Sequence, residues 1–264
     1  MTVADRWQRG EPYERYVGRW SRLVAREFVD WLNVPAGVRW LDVGCGTGAL
    51  TQTVLDLADP ARIVGVDLSA AFVEHARRAV LDERAEFLVG DAQELPVPDE
   101  SVDAAVSALA LNFVPEPERA AAGLRRVVCA GGTVAAYVWD YADGMQLMRA
   151  FWDTAAELDP VVADLDESLR FPLCRPEPLR ELFAGAGLVG VETRAIDVPT
   201  VFADFDDYWS PFLGGQGPAP SYVASLHEDR RHELASRLRE RLPAGADGSI
   251  ALVARAWAVR GTRR

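Results

Sequence analysis

Three glycines at alternate positions mark the segment of this 264-residue sequence that is best suited to bind a ligand. The segment Leu41–Gly48 reads Leu-Asp-Val-Gly-Cys-Gly-Thr-Gly and lies between a predicted strand and a predicted helix. Glycine lets the backbone approach a ligand closely, and the start of the following helix presents unpaired N–H groups. Gly44, Gly46 and Gly48 are therefore candidate ligand-binding residues, although a glycine-rich segment can also be a simple turn.

Three aspartates accompany this loop. Asp42 stands two residues before Gly44, where a carboxylate favours a ligand with positive charge and disfavours a pyrophosphate. Asp67 follows Gly48 by 19 residues at the end of the second predicted strand, where open α/β sheets hold a ribose. Asp91 ends the third predicted strand and suits a donor such as an adenine amine. Each aspartate alone could cap a turn or a helix, but together they indicate a nucleoside-binding edge.

The spacing of the glycines separates two kinds of nucleotide cofactor. A loop of the form G-x-G-x-x-G indicates a dinucleotide, whose pyrophosphate lies against the helix start. This loop is G-x-G-x-G, one residue shorter, and it is preceded by an acidic residue. An NAD-dependent oxidoreductase is therefore a less favoured interpretation.

The composition excludes other chemistry. All 28 basic residues are arginine, so no lysine is present for a Schiff base or for a phosphate-binding P-loop. A metal centre or proton relay built on histidine would need most of His75, His227 and His232, and we expect no metal site. The net charge of −12 disfavours nucleic acid as a partner, because phosphate backbones bind basic surfaces.

Cysteine usage and hydropathy indicate a compartment. Cys45, Cys129 and Cys174 are odd in number and far apart, which argues against a disulfide framework and fits a reducing cytoplasm. No run approaches the roughly 18–20 apolar residues of a membrane span, and the first ten residues lack the apolar stretch of a signal peptide. We expect a cytoplasmic protein with no membrane partner, as a monomer or simple homodimer.

Strands alternate with helices over the first half of the sequence, which predicts a doubly wound, mostly parallel α/β sheet. Short apolar strands are predicted at 38–43, 63–67, 85–91, 102–107 and 133–139, and helices at 49–57, 70–81 and 118–128. Residues 1–36 are interpreted as a helical arm or lid, and 37–264 as the main domain.

The regular alternation stops after Asp140. Further helices are predicted at 145–158, 161–169, 176–186 and 222–242, strands at 189–199 and 249–259, and a loop at 214–220. We interpret the stretches at about 141–175 and 203–245 as helical insertions over the substrate side of the sheet. Some of their aromatic residues are expected to line an apolar pocket and most to pack; the set is Trp139, Phe151, Trp152, Phe202, Tyr208, Trp209 and Phe212.

Residues 38–140 resemble the class I S-adenosylmethionine-dependent methyltransferases, in particular the type 11 group related to ubiquinone and menaquinone biosynthesis. The motifs that carry the resemblance are Leu41–Gly48, Val64–Ser69, Val89–Pro96, Ser101–Pro117 and Leu124–Trp139. The likeness extends more weakly to 13–21 and to the last strand. It implies S-adenosyl-L-methionine as the cofactor and a seven-stranded, Rossmann-like sheet with one antiparallel strand.

The resemblance also implies roles for individual residues. The three loop glycines would cradle the methionyl part of the cofactor, and Asp67 would hold the ribose hydroxyls. The adenine would lie beside Leu68, Asp91, Ala92 and Gln93, and the methionine moiety beside Ala108 and Leu109.

Two residues of the arm are further candidates. Arg19 could pair with the methionyl carboxylate and Tyr16 could cover the site, although both could equally belong to a solvated amphipathic helix. Relatives often carry histidine where this sequence has Asn112, and an amide is no general base. The catalytic residues are therefore unknown, and His227 is interpreted as part of a solvated helix start.

The resulting hypothesis is an enzyme that transfers a methyl group to a small, apolar or aromatic molecule at O, N or C. The methyl group of a sulfonium is already electrophilic, so the reaction depends on in-line positioning more than on a strong catalyst. A cofactor-binding protein without transferase activity, acting as a regulator or a rearrangement catalyst, is the alternative.

Overall fold

The computed structural model describes residues 19–214 and 217–264, and strands and helices alternate along most of this chain. The strands are β1 (Arg39–Val43), β2 (Arg62–Asp67), β3 (Ala85–Val89), β4 (Val102–Ala108), β5 (Val128–Trp139), β6 (Val189–Phe202) and β7 (Ile250–Thr262). The helices are α1 (Arg19–Leu32), α2 (Ala49–Leu57), α3 (Ala70–Ala79), α4 (Pro117–Val127), α5 (Gln146–Leu158), α6 (Glu167–Arg170), α7 (Pro176–Gly185), α8 (Phe205–Trp209), α9 (Pro218–Ser225) and α10 (Glu228–Arg241). Short 3-10 turns cover Leu111–Phe113, Pro160–Leu165 and Ser210–Gly214.

The strands form one seven-stranded sheet in the order β3-β2-β1-β4-β5-β7-β6. β1 to β5 pair in parallel, and β7 runs antiparallel to β5. The order reverses between β1 and β4, and ligands of open α/β sheets bind at the carboxyl ends of the strands beside such a switch point. The predicted α/β fold class is confirmed, including the antiparallel strand.

The described chain divides into two compact units. The glycine-loop unit comprises Ser21–Trp139, Leu173–Ile196 and Ala256–Arg264. Its core consists of the central strands, which read as nearly continuous apolar runs because both faces of a parallel sheet are covered. Leu41, Ile63 and Val106 are fully buried at its centre.

The aromatic unit comprises Asp140–Pro172 and Asp197–Arg255, together with Arg19 and Trp20. Its core is a set of rings in contact. Phe151 stacks on Phe212 with ring centroids 4.6 Å apart, and Tyr208 lies 5.5 Å from Phe212. The Tyr208 hydroxyl donates a hydrogen bond to the Leu147 carbonyl at 3.1 Å.

The chain between Gly214 and Leu242 differs from its prediction. A loop was predicted up to Pro220, but α9 begins at Pro218, since proline is favoured in the first helical turn. One continuous helix was predicted over 222–242, but Leu226 and His227 are extended and separate α9 from α10. Arg231 donates hydrogen bonds to the carbonyls of Val223 and Leu226, which fixes the chain at this break.

β5 is also longer than its prediction, because it starts at Val128 and not after the glycine pair. Val102 pairs with Val128 and Ala104 pairs with Thr133, so the intervening residues form an irregularity in β5. Gly131 adopts a φ of 81° there, which glycine accepts at little cost. None of the helices within 19–214 and 217–264 is long and apolar enough to cross a bilayer.

Candidate cofactor-binding site

The glycine loop connects β1 to α2 and is fixed to the neighbouring strand by its backbone. The N–H groups of Gly44 and Cys45 both donate to the Val66 carbonyl, at 2.7 and 3.1 Å. Gly44, Gly46 and Gly48 have φ values of 74°, 53° and 87°, in the left-handed region that favours glycine. The sequence places glycine at alternate positions because the chain must reverse its handedness at each of them.

The three glycines differ in what surrounds them. A Cβ on Gly44 would lie 2.3 Å from the Ala110 Cβ, and one on Gly48 would lie 2.9 Å from a Val80 methyl group. A Cβ on Gly46 would meet no atom of the protein within 4 Å. Gly44 and Gly48 thus permit close packing within the protein, whereas Gly46 faces open space that a ligand could occupy.

Asp67, the last residue of β2, is bonded to this loop. Its Oδ2 accepts a hydrogen bond from the Gly46 N–H at 2.9 Å, and its Oδ1 accepts one from the Ser69 N–H at 2.8 Å. Burial raises the pKa of the carboxyl, and the two backbone hydrogen bonds oppose that rise. Each oxygen keeps a further lone pair, so this oriented carboxylate can accept hydrogen bonds from a diol.

Asp42 lies within β1 and is completely buried, with an exposure of 0%. Thr51 of α2 donates its hydroxyl to Oδ2 at 2.7 Å, while Oδ1 has no hydrogen-bond partner among the described residues. Burial raises the pKa of Asp42 to about 7; the Thr51 hydrogen bond lowers it and the nearby Asp67 charge raises it further. A cation beside this site would favour the ionised form of Asp42.

The chain after β3 forms a compact polar turn. Asp91 Oδ1 accepts a hydrogen bond from the Gln93 N–H at 2.8 Å, and Ala92 lies between these two residues. The side-chain oxygen Oε1 of Gln93 accepts one from the Glu116 N–H at 3.2 Å, which ties the turn to the chain before α4. Asp91 therefore also caps a turn, the simpler role that its sequence context allowed.

Two apolar side chains are exposed at the ends of β2 and β3. Leu68 follows β2 and is 72% exposed, and Val89 ends β3 and is exposed as well. Asp67 pairs with Val89 in the sheet, so Leu68 and Val89 belong to the same edge. An apolar surface beside an oriented carboxylate suits a flat heterocycle attached to a sugar.

The chain that leaves β4 is held in an unusual conformation. Leu109 has a φ of 56°, which is uncommon for a residue with a side chain, and its N–H donates to the Tyr137 carbonyl at 2.8 Å. The next residue, Ala110, is the one that excludes a side chain at Gly44. The chain at Ala110 therefore lies against the glycine loop, and the role predicted for Ala108 and Leu109 stays a prediction.

Buried polar atoms without a hydrogen-bond partner among the described residues also occur in this part of the chain. They include the Ser107 hydroxyl and the Asn112 side-chain nitrogen, as well as Asp42 Oδ1. Sequence reasoning missed Ser107 and the contribution of Thr51, because an isolated serine or threonine in an apolar segment carries no recognisable signal. Such orphan atoms are rare in proteins and indicate groups that await a ligand or water.

The two candidates from the arm are placed differently. Tyr16 lies outside the described residues. Arg19 belongs to the aromatic unit, where its Nη1 donates to Asp207 Oδ1 at 3.0 Å. The role predicted for Arg19 at the methionyl carboxylate stays a prediction.

The other candidate catalytic groups lack a catalytic setting. His227 is exposed directly before α10, which confirms its interpretation as a helix start. Of the aromatic residues considered for a pocket, all except the half-buried Trp209 are buried in packing. Within the described ranges, no group of three or more His, Cys, Asp or Glu residues could hold a metal ion.

Sequence comparison shows which known proteins this chain is similar to. Residues 41–136 match the profile of the family described as "Methyltransferase domain". The chain is 31% identical over 189 residues to 2-methyl-6-phytyl-1,4-hydroquinone methyltransferase of Synechocystis sp., an alignment that covers 70% of this chain and 58% of that protein. It spans between about one third and three fifths of the length of the curated relatives that it matches.

Solved structures show the same fold. Phosphoethanolamine N-methyltransferase 2 of Haemonchus contortus, in complex with S-adenosyl-L-methionine, is 16% identical with a TM-score of 0.62, over 99% of this chain and 60% of that one. The 4+2 cyclase SpnF is 22% identical with a TM-score of 0.53, over 93% of this chain and 80% of that one. Residues 41–136 therefore match a methyltransferase domain, and the described chain shares its fold with solved methyltransferases.

Proposed function

We propose that this protein transfers the methyl group of S-adenosyl-L-methionine to a small apolar or aromatic molecule, at an oxygen, nitrogen or carbon atom. The observation that carries the proposal is the contact between Asp67 and Gly46: one carboxylate both fixes the open glycine of the loop and keeps lone pairs for a ribose. The related hydroquinone methyltransferase supports an aromatic acceptor. A small-molecule partner, a cytoplasmic location and a monomer or simple homodimer belong to the same proposal.

The residues present fit the cofactor. Gly46 leaves space at the loop, Asp67 would accept hydrogen bonds from the ribose hydroxyls, and Leu68 and Val89 would contact the adenine ring. When bound, S-adenosyl-L-methionine supplies an electrophilic methyl group on a positively charged sulfonium. A pyrophosphate would be repelled by the carboxylates Asp42 and Asp67, which disfavours a dinucleotide.

The chain itself would act by positioning the reactants. The backbone hydrogen bonds of the loop hold Gly44 and Gly46 in place before a ligand arrives, so little ordering is needed on binding. Leu109 is held in its strained conformation by Tyr137, next to the same loop. Of the three histidines, only His75 lies in the glycine-loop unit, on α3, so these elements contribute orientation and not proton transfer.

Calorimetric titration tests the cofactor. S-adenosylhomocysteine is expected to bind stoichiometrically, and NAD is expected not to bind under the same conditions. Asp67→Asn should weaken the binding of S-adenosylhomocysteine, whereas Asp247→Asn, at an exposed carboxylate far along the chain, serves as the control. Absence of binding by the wild-type protein would overturn the proposal.

A second function, cofactor binding without methyl transfer, is supported by one observation: the fold is shared with the 4+2 cyclase SpnF. Folds host unrelated reactions, so the fold alone does not require transfer. Incubation with S-adenosyl-L-methionine labelled in the methyl group, together with an extract of small molecules, separates the two functions. A labelled small product supports the transferase, and bound cofactor without any labelled product supports the alternative.

A further inference from the structure

Arg19 is the first described residue of α1, and its guanidinium contacts two aromatic rings of the aromatic unit. The guanidinium carbon is 4.4 Å from the centroid of the Trp20 ring and 4.8 Å from that of Phe202. Nη1 donates to Asp207, whose other carboxylate oxygen accepts from the Ala203 N–H at 3.0 Å. The position of the guanidinium is therefore fixed from three sides.

The other edge of this guanidinium has no acceptor among the residues that the structure describes. Nε and Nη2 are both screened from solvent, and neither has a hydrogen-bond partner within residues 19–214 and 217–264. These two nitrogens point their hydrogens in the same direction and form the fork that binds a carboxylate through two parallel hydrogen bonds. Leaving such charged donors unpaired in a buried position is costly.

Three other arginines of this protein show what the fork normally binds. Arg39 holds Asp103 through Nε and Nη2 at 3.0 and 2.9 Å, and Arg84 holds Asp82 at 3.0 and 2.7 Å. Arg255 holds Asp197 at 2.7 and 3.1 Å. In each case the partner is a carboxylate. The fork of Arg19 therefore has the donor arrangement that binds an aspartate elsewhere in this protein.

Two further buried donors of the aromatic unit have no hydrogen-bond partner among the described residues. The indole N–H of Trp20 belongs to the ring that the guanidinium covers, and it is buried without a partner in the described chain. The same holds for the Thr200 hydroxyl, which is on the same face of β6 as Phe202 because alternate strand residues share a face. A cluster of unpaired donors beside aromatic rings favours an anionic group attached to an apolar body.

We propose that the fork of Arg19, with Trp20 and Thr200, binds the carboxylate of a small aromatic or aliphatic acid. The charges favour a monoanion: Asp207 neutralises Arg19 and Arg239 lies 3.6 Å from Asp206, so a dianionic phosphate would meet too little positive charge.

Benzoate and benzamide provide the test, because they have the same shape and differ in charge. Titration of the full-length protein, with and without saturating S-adenosylhomocysteine, should show saturable binding of benzoate and none of benzamide. Arg19→Gln should weaken benzoate binding by about tenfold or more, and Thr200→Val by about two- to tenfold. Arg84→Gln, which removes an arginine whose fork is already filled by Asp82, should leave benzoate binding unchanged.

Arg19→Lys provides a second variant in case the glutamine variant does not fold. It retains the charge but removes the fork, so the affinity for benzoate should still fall. Failure of benzoate to bind, equal binding of benzamide, or an equal loss in Arg84→Gln would overturn the proposal. A loss of S-adenosylhomocysteine affinity in Arg19→Gln, with benzoate binding unchanged, would assign the fork to the cofactor and also overturn it.

The same titrations separate this proposal from the proposed function. Binding of benzoate by a protein that does not bind S-adenosylhomocysteine would overturn the methyl-transfer function, while the carboxylate site itself would stand. Binding of S-adenosylhomocysteine but not benzoate would overturn the carboxylate site alone.

Discussion

The two units of this protein use their distinctive residues in opposite ways. In the glycine-loop unit, the residues with unusual types and spacing lie at the carboxyl ends of strands, and several face open space or keep free lone pairs. In the aromatic unit, the distinctive residues are rings, and most of them contact each other in the core. Regular spacing of small and acidic residues therefore indicated binding, whereas accumulation of aromatic residues indicated packing.

The largest expected effect concerns the stability of the aromatic core. Phe151→Ala removes a fully buried ring that stacks on Phe212, so the free energy of unfolding should fall by about 3–5 kcal/mol. Chemical denaturation followed by circular dichroism measures this loss. The affinity for S-adenosylhomocysteine should stay unchanged under conditions where the variant is folded. A variant of wild-type stability with altered acceptor binding would show that Phe151 lines a pocket.

Within the glycine loop, substitutions of Gly44 and Gly46 are expected to differ in their effects on stability and on cofactor binding. Gly44→Ala should lower the free energy of unfolding by about 2–5 kcal/mol, because it adds a positive-φ penalty to a collision with Ala110. Gly46→Ala should cost only about 1–2 kcal/mol, since its Cβ meets no protein atom. It should instead reduce the affinity for S-adenosylhomocysteine, and thermal unfolding with calorimetry measures both effects. Equal effects of the two variants on stability and on binding would contradict the different roles of Gly44 and Gly46.

The next prediction concerns Glu167 of the aromatic unit, which should make the free energy of unfolding depend on pH. Its carboxyl is buried beside Trp152, whose indole nitrogen donates to it, and burial raises its pKa from the ordinary 4.5 to about 8. The folded state thus prefers the protonated form. The contribution of Glu167 to stability is fully present below pH 4.5 and is lost as the pH rises towards 8.

Glu167→Gln keeps an acceptor for Trp152 and cannot ionise. It should therefore be more stable than the wild type at pH 8, by about 4 kcal/mol, and of similar stability near pH 4. Denaturation curves at several pH values measure the difference. Glu157→Gln, at an exposed carboxylate of α5, is the matched control: it retains Glu167, so its pH profile should be parallel to that of the wild type. A wild type and a Glu167→Gln variant with parallel pH profiles would contradict a buried neutral Glu167.

The smallest expected effect concerns Asp42. Its pKa of about 7 should fall when a positively charged ligand binds nearby, so binding should release a proton. The affinity for S-adenosyl-L-methionine should therefore rise by several-fold between pH 6 and pH 8. Calorimetry in two buffers of different ionisation enthalpy measures the released proton. Asp42→Asn should abolish the release, and a wild type that releases none would separate Asp42 from the cofactor.

Much of the glycine-loop unit could be predicted because its signals are local. The positive φ of Gly44 favours glycine, and the chain must turn at Gly48 because a helix starts after the loop. Both residues could therefore be recognised from the sequence alone. The burial of Asp42 was not predictable in the same way. Its neighbour Thr51 is nine residues away in sequence, and only the packing of α2 on β1 brings the two together.

The aromatic unit was predicted less well because its helices depend on distant contacts. The break at Leu226 and His227 has no glycine or proline within it, and Arg231 stabilises it from the following helix. The irregular start of β5 likewise depends on its pairing with β4.

The sequence by itself predicted the parallel sheet, the glycine loop and a nucleoside-binding edge, since apolar periodicity, glycine spacing and strand-end carboxylates act over a few residues. Only the tertiary structure decided which donors lack an acceptor. The fork of Arg19 is defined by Trp20 beside it and by Phe202 and Asp207, almost two hundred residues away. Satisfaction of buried polar groups is a property of the packed molecule, because it depends on every group that comes within hydrogen-bonding distance.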